Sequence, residues 1–450
     1  MSTAGSLFTR ILPLLRHPAT SRGLAMSAIR PPTILPPDIP IEEEKIPGYD
    51  AKRFLSVNPG DLLHNRYKIV AKVGWGTTST VWIAQDTQRW WWNHNRYVTV
   101  KVTASDCIDN EAAKHERIIT RHLNKNPSHS GFSFVRTMLD SFKVLGQEGP
   151  HLCLVYEPMR EPLWLFQRRW ENGKLPPALV KVYTRFLLQG LDYLHSECHI
   201  IHTDLKPDNI LLGFEDPSVL KDFVHKQAEN PMPRKIKDGR STYLSHNDFG
   251  PPKSFRILPK IGDFGLAQSG DGPEPLLHPI QAPLYHAPEV LLGTSWTYSA
   301  DIWNLGVLIW NMLEGRDLFT YTRSSQGDYD VRAHLAEMIA LLGTPPKTLI
   351  EREVRWSAVK WSHAVPNSEG RLCWTAREYY GGPFFNTEGD FMYKELIPVG
   401  ISLDGSVLSL GGEDKRLFLD FMKEMLQWLP EDRKTAKELL AHPWLLKGSV

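Results

Sequence analysis

The feature that most constrains this chain is the order of its periodicities. Short β-branched segments of period two come first, and apolar segments of helical period follow. Arg66 to Asp86 reads RYKIVAKVGWGTTSTVWIAQD, two strands joined at a tight glycine-bearing turn, and Tyr97 to Thr103 (YVTVKVT) alternates as a third. Glu111 to Leu123 has helical spacing with Asp109 or Asn110 as its cap, and a strand pair, FVRTMLDSFKV and HLCLVYE, completes this part. Beyond it, Ala178 to His195 sets Leu179, Val182, Phe186, Leu187, Leu191 and Leu194 at helical spacing, and Asp301 to Leu313 is apolar almost throughout. Strands followed by helices predict an α+β chain, with a small β-rich lobe over residues 61–158 and a larger α-rich lobe over residues 159–447. Two stretches read as insertions in the second lobe: about 213–255, polar and proline-bearing, and about 351–412, rich in Gly, Trp and Tyr.

Composition excludes several classes. The 52 Lys and Arg against 51 Asp and Glu give a net charge of +1, so no global field draws the chain to nucleic acid or to an anionic membrane. The 4 cysteines lie far apart with no CxxC pair, which argues against a disulfide scaffold and a structural zinc site. No apolar run approaches the ~18 residues that a membrane-spanning helix needs. The first 37 residues contain no Asp or Glu and carry Arg10, Arg16, Arg22 and Arg30 among small and apolar residues. That composition fits a mitochondrial transit peptide, or equally a leader without structure. Pro31 to Pro40 holds five prolines and reads as an extended linker. Everything before about Asp61 is therefore expected to stand outside the fold as a flexible leader and linker.

Four short motifs carry chemistry, in a fixed order. Gly74-Trp75-Gly76-Thr77-Thr78-Ser79 lies between two strands, where small residues let backbone N–H groups approach phosphates, although an ordinary hairpin turn reads the same way. Lys101 sits within an apolar strand and calls for an anionic partner, with Glu116 on the following helix as candidate. The alternative is a lysine on the solvent side of an edge strand. His202-Thr203-Asp204-Leu205-Lys206-Pro207-Asp208-Asn209 follows an amphipathic helix and precedes the apolar Ile210-Leu211-Leu212. Here Asp204 can receive a hydroxyl proton, Lys206 can meet a phosphoryl group as a point charge, and Asn209 can hold a metal ion. Asp263-Phe264-Gly265 follows the strand candidate Ile257 to Ile261 and offers a carboxylate to Mg²⁺. Ala287-Pro288-Glu289 comes after it, and Glu289 needs a buried cation, for which Arg433 is the candidate.

These residues, in this order, resemble the eukaryotic protein kinases, over roughly Tyr67 to Leu445. The resemblance implies a bilobal protein-kinase fold and transfer of the γ-phosphoryl group of ATP, with Mg²⁺, to serine or threonine hydroxyls of protein substrates. Lys206 within the catalytic loop favours those aliphatic acceptors. GWGTTSTVWIAQD, HTDLKPDNILL with Thr203 in place of the usual Arg, and MLEGRDLF followed by HLAEMIALLGTPPKTLI resemble the SR-protein kinases and their fungal relatives. The 213–255 insertion lies where that group carries its spacer. By this resemblance Val81, Thr99 and Leu211 would sandwich adenine with Tyr156 as gatekeeper, and the Glu157 carbonyl and Met159 N–H would read its edge. Asp301 would support the catalytic-loop backbone, or else cap its own helix. Arg-Ser-rich splicing factors are the partners implied, with a monomer expected, in the cytoplasm or nucleus unless residues 1–37 direct it to mitochondria.

The departures carry expectations of their own. The segment from Asp263 to Glu289 has no Thr and offers Ser269 and Tyr285 alone as hydroxyls, and Thr203 removes the usual phosphate receiver. Activity independent of activation-loop phosphorylation is therefore expected. Ala282 stands where such kinases place a Thr, and His286 where relatives carry Arg. With Ser79 in the third glycine's place, Ala282 keeps open a second reading, a pseudokinase scaffold that binds nucleotide and partner proteins.

Overall fold

A computed structural model of the chain describes residues 31–89, 96–105, 111–254, 256–324 and 326–446. The leader up to residue 30 and the cap expected at Asp109 or Asn110 lie outside the described residues.

The first lobe is a six-stranded antiparallel sheet. Taking Ile34–Leu35 as β1, its strands are β2 (Leu62–Leu63), β3 (Tyr67–Gly76), β4 (Ser79–Asp86), β5 (Tyr97–Thr103), β6 (Met138–Gly146) and β7 (Gly149–Tyr156), in the order β2-β3-β4-β5-β7-β6. The period-two reading holds where one face meets solvent: along β3, Tyr67, Ile69 and Ala71 are buried while Lys68 is exposed. Helix α1 (Glu111–His122) follows β5, as its spacing predicts.

In the second lobe, α2 (Pro177–Asp192) packs against the long buried helix running from Ser299 to Glu314, whose Trp303 and Trp310 are fully enclosed. That helix stops at Gly315, whose φ of 66° is the left-handed cap that glycine adopts without strain. Short strands Ile210–Leu212 and Pro259–Ile261 pair antiparallel and bring the two central motifs together at the junction of the lobes. No described helix is long and apolar enough to cross a membrane.

The expectation that residues before Asp61 stand outside the fold is overturned for residues 31–60. The 213–255 insertion leaves the second lobe but forms α3 (Pro217–Glu229), capped by Asp216, and a hairpin of Arg234–Lys237 with Arg240–Tyr243. Leu220, Phe223, Met232 and Tyr243 join the apolar core of the first lobe together with Val57, and β1 pairs in parallel with Arg234 and Lys235. Lys72 on β3, only 1% exposed, binds the Glu43 carboxylate and the Tyr243 carbonyl at 3.0 Å. Lys235 binds Glu44 in the same way. A lysine enclosed in an apolar sheet requires such anionic partners, so the run Glu42-Glu43-Glu44 is a core element of this fold. Composition misleads here because proline-rich and acidic residues look solvent-bound until a partner surface buries them.

Candidate functional site

Strand β5 carries Lys101 to the floor of the cleft between the lobes, and α1 brings Glu116 over it. The Lys101 ammonium lies 2.9 Å from both Glu116 carboxylate oxygens and 3.5 Å from Asp263 Oδ1. Burial would lower the affinity of Lys101 for its proton, but Asp263 and Glu116 outweigh it and hold the ammonium well above its ordinary range. The same contact with Lys101 holds the Asp263 carboxyl below its ordinary value. Asp263 also sits at φ 61°, a left-handed conformation that a non-glycine residue adopts at a cost. The edge-strand reading of Lys101 is thereby excluded, since its strand pairs with neighbours on both sides.

Across the cleft the loop after α2 assembles the other set. Asn209 Nδ2 donates to the Asp204 carbonyl at 2.8 Å and to Asp204 Oδ2 at 2.9 Å, and Lys206 Nζ lies 2.8 Å from that same oxygen. The backbone holding Asp204 is fixed by Asp301, which accepts from His202 N at 2.7 Å, Thr203 N at 2.9 Å and the His195 ring at 2.9 Å. Asp301 is fully buried and caps nothing, so the supporting role is the one that its geometry allows. Thr203, at φ 68°, donates its hydroxyl to the Leu266 carbonyl at 2.9 Å and so joins this loop to the segment after Asp263. The Glu289–Arg433 pair forms at 2.6 and 2.7 Å, with both side chains fully enclosed.

The nucleotide-side residues lie where strand order puts them. Gly74 and Gly76 end β3, Trp75 is 41% exposed between them, and Ser79 opens β4. A side chain built at Gly74 or Gly76 would meet nothing closer than 3.8 or 3.4 Å within the chain, so internal packing does not require glycine there. Space kept open above the cleft fits a bound phosphate chain. Val81 is paired with Lys101, Thr99 with Tyr156, and Leu211 lies opposite on the strand before the insertion. Asn209 and Asp263 are two oxygen donors of the kind that Mg²⁺ takes when phosphates complete its shell. Among the described residues no group of three or more His, Cys, Asp or Glu could hold a metal without such help.

One residue read from the sequence has a further partner, and two participants carry no signal there. Tyr156, read as gatekeeper, donates its hydroxyl to Glu116 Oε1 at 3.1 Å. Arg136 stacks on the Tyr156 ring at 4.6 Å and donates to the Glu157 carbonyl at 3.0 Å, so the acceptor expected for adenine already holds one donor on one of its lone pairs. The His115 ring bonds the Ala267 carbonyl, which ties α1 to the segment after Asp263. Arg136 and His115 belong to no motif, and only the fold makes them neighbours of the site.

The match to a family model settles what this arrangement belongs to: residues 67–445 fit the protein kinase domain. The chain is a member of the protein kinase family. Among relatives, this kinase is 35% identical to a serine/threonine protein kinase of Aspergillus fumigatus, over 92% of this chain and 93% of that one. It is 30% identical to a serine/threonine-protein kinase SRPK of Physarum polycephalum, over 90% and 91% of the two chains, and 29% identical to human dual specificity protein kinase CLK1 over 89% and 70%. A crystallised kinase domain aligns with a TM-score of 0.62 over 88% of this kinase and 100% of its own length, at 23% identity, a likeness of fold. The bilobal α+β expectation is met, and so is the resemblance to the SR-protein kinases.

Proposed function

We propose that this serine/threonine kinase transfers the γ-phosphoryl group of ATP to serine hydroxyls in Arg-Ser-rich proteins, and does so without prior phosphorylation of its own activation segment. The observation that carries the second half is the Thr203 hydroxyl on the Leu266 carbonyl. An internal hydrogen bond replaces the contact that an arginine makes to a phosphate in many kinases, and it orders the segment unmodified.

For the first half, a cavity of about 590 Å³ opens beside the catalytic loop, lined among others by Trp164, Asp208, Tyr285 and Asp317. Burial pushes the Asp317 carboxyl up, and its described partner is the Asn311 amide, not a cation. A basic substrate side chain would relieve that carboxylate.

Bound Mg²⁺ and ATP supply the electrophilic phosphoryl group and its charge neutralisation. Asn209 and Asp263 would hold the metal, and Lys101 the α and β phosphates. Asp204 orients the substrate hydroxyl and takes its proton, while Lys206 already meets Asp204 without the hydroxyl that Ala282 fails to provide. Cytoplasm or nucleus is the location consistent with such substrates.

The test is a peptide array incubated with phosphatase-treated enzyme, beside Asp204→Ala. Labelling concentrated on Arg-Ser peptides and lost in the variant supports the proposal. Labelling lost on phosphatase treatment removes the second half, labelling spread over acidic peptides removes the first, and equal labelling by the variant returns the scaffold reading.

A further inference from the structure

The segment that must receive the peptide, Gln281 to Glu289, is held from several sides. Gln281, at φ 72°, accepts from Ala287 N at 2.8 Å and donates to the Ala300 carbonyl at 3.1 Å. Asn304 Nδ2 donates to the Tyr285 carbonyl at 2.6 Å. Both partners come from the long buried helix Ser299–Glu314. Tyr285 in turn lines the cavity beside Pro207 and Asp208 of the catalytic loop.

One further anchor has no counterpart in any motif. His286 is 7% exposed, and its Nδ1 lies 3.0 Å from the Tyr329 hydroxyl. That hydroxyl is also 2.8 Å from Nδ1 of His334, which is fully buried on helix Val331–Leu342. A phenol has a single proton, so the two imidazoles take opposite roles at Tyr329: one accepts its O–H, the other donates to its oxygen. The ring that accepts must be neutral, and the pattern forms with both rings neutral. Burial keeps them so, pushing His286 down to about 4 and His334 well below its ordinary value. The ring of Tyr380 closes edge-on over His286 at 5.6 Å, and Phe319 lies 4.5 Å from His334, so both imidazoles are enclosed beside a half-buried Tyr329.

We propose that Tyr329 and His334 are positioning residues for phosphoryl transfer, acting through His286 to set the peptide-receiving segment against helix Val331–Leu342. The relay fixes the platform on the side away from the catalytic loop, where a charged arginine at 286 would require an anion instead. His286 is enclosed and its Nδ1 is engaged by Tyr329, so it presents no cation at the surface of the segment.

This rests on the protein-kinase reading of the site, and peptide affinity is measured by equilibrium binding as well as by turnover, so that loss of transfer and loss of positioning are told apart. The probe is a serine peptide that the wild-type enzyme binds. Tyr329→Phe keeps the ring and removes the oxygen. The expected result is about a ten-fold rise in peptide Kd and KM, the effect of losing two part-buried hydrogen bonds, with the KM for ATP unchanged. His334→Asn, which restores a polar atom near the Nδ1 position, is expected to stay within about two-fold of wild type, while His334→Leu follows Tyr329→Phe. The proposal is overturned if peptide Kd is the same in Tyr329→Phe and wild type. It is equally overturned if peptide and ATP constants rise together, or if His334→Asn and His334→Leu behave alike, because a purely structural role gives those patterns.

Discussion

Thr203 ties two loops of the cleft together at residue scale through a single hydroxyl. Its Oγ1 donates to the Leu266 carbonyl at 2.9 Å while its N–H is taken by Asp301, so the side chain bridges the catalytic loop and the activation segment. Thr203→Val preserves shape and removes that donor from the Leu266 carbonyl, which keeps the Gln268 side-chain amide, a loss of about 0.5–1.5 kcal/mol for a part-buried bond. The expected outcome is a several-fold fall in peptide phosphorylation together with faster amide exchange over residues 263–270. Unchanged exchange there would show that the segment is ordered by something else. At the same scale Glu289 and Arg433 form an enclosed pair, and Glu289→Gln strands a buried guanidinium at about 3–5 kcal/mol, to be read as a lowered midpoint in thermal unfolding. That pair is legible from the sequence, since a buried carboxylate needs a cation and Arg433 is the candidate for it. The relay through Tyr329 is not, because neither histidine nor tyrosine stands in a spacing that announces a partner so far along the chain.

Among elements, the helix Lys347–Trp356 carries a carboxyl that titrates in an unusual range. Glu353 is 1% exposed, accepts from Phe384 N at 2.9 Å, and burial pushes its carboxyl up to about 7. A folded-state value above the unfolded 4.5 means that the folded chain binds the extra proton, so this group's stabilisation is complete below about pH 4.5 and is lost as pH rises through about 7. The amount is of order 3 kcal/mol. Glu353→Gln keeps an acceptor for Phe384 N and cannot ionise. The stability difference between wild type and variant is expected to move against wild type between pH 5 and pH 8, measured by urea unfolding at each pH. A difference that stays flat across that interval would refute the assignment. The existence of such elements was read correctly for the central strands and long helices, whose periodicity is strong. The 213–255 insertion carries no such signal, because α3 and its hairpin are stabilised by the lobe they land on and not by their own pattern.

At the scale of the whole molecule, the two lobes are joined by more than the cleft. The 213–255 insertion starts from the second lobe and buries its apolar side chains in the first, and the Glu42–Glu44 run closes over it. Removing the charges from Glu42 and Glu43 together leaves Lys72 buried without a counter-ion, at a cost of about 3–5 kcal/mol. Adding Lys72→Met to that double variant is expected to restore most of the lost stability in chemical unfolding, since an apolar side chain of similar length fits the same space. Failure of Lys72→Met to rescue would locate the loss in the backbone of the segment instead.

What the linear order of residues determined was the set of chemical parts: a lysine, an aspartate and an asparagine in motifs short enough to be local, each dictated by the turn or strand that carries it. Tertiary packing alone decided which residues become neighbours without sharing a motif, among them Arg136 on the Glu157 carbonyl, His115 on the Ala267 carbonyl and Glu43 on Lys72. The division follows from range. Turn chemistry and periodicity act over a few residues, whereas the burial of a charge is satisfied by whatever partner the folded chain brings within about 3 Å, from any distance along the sequence.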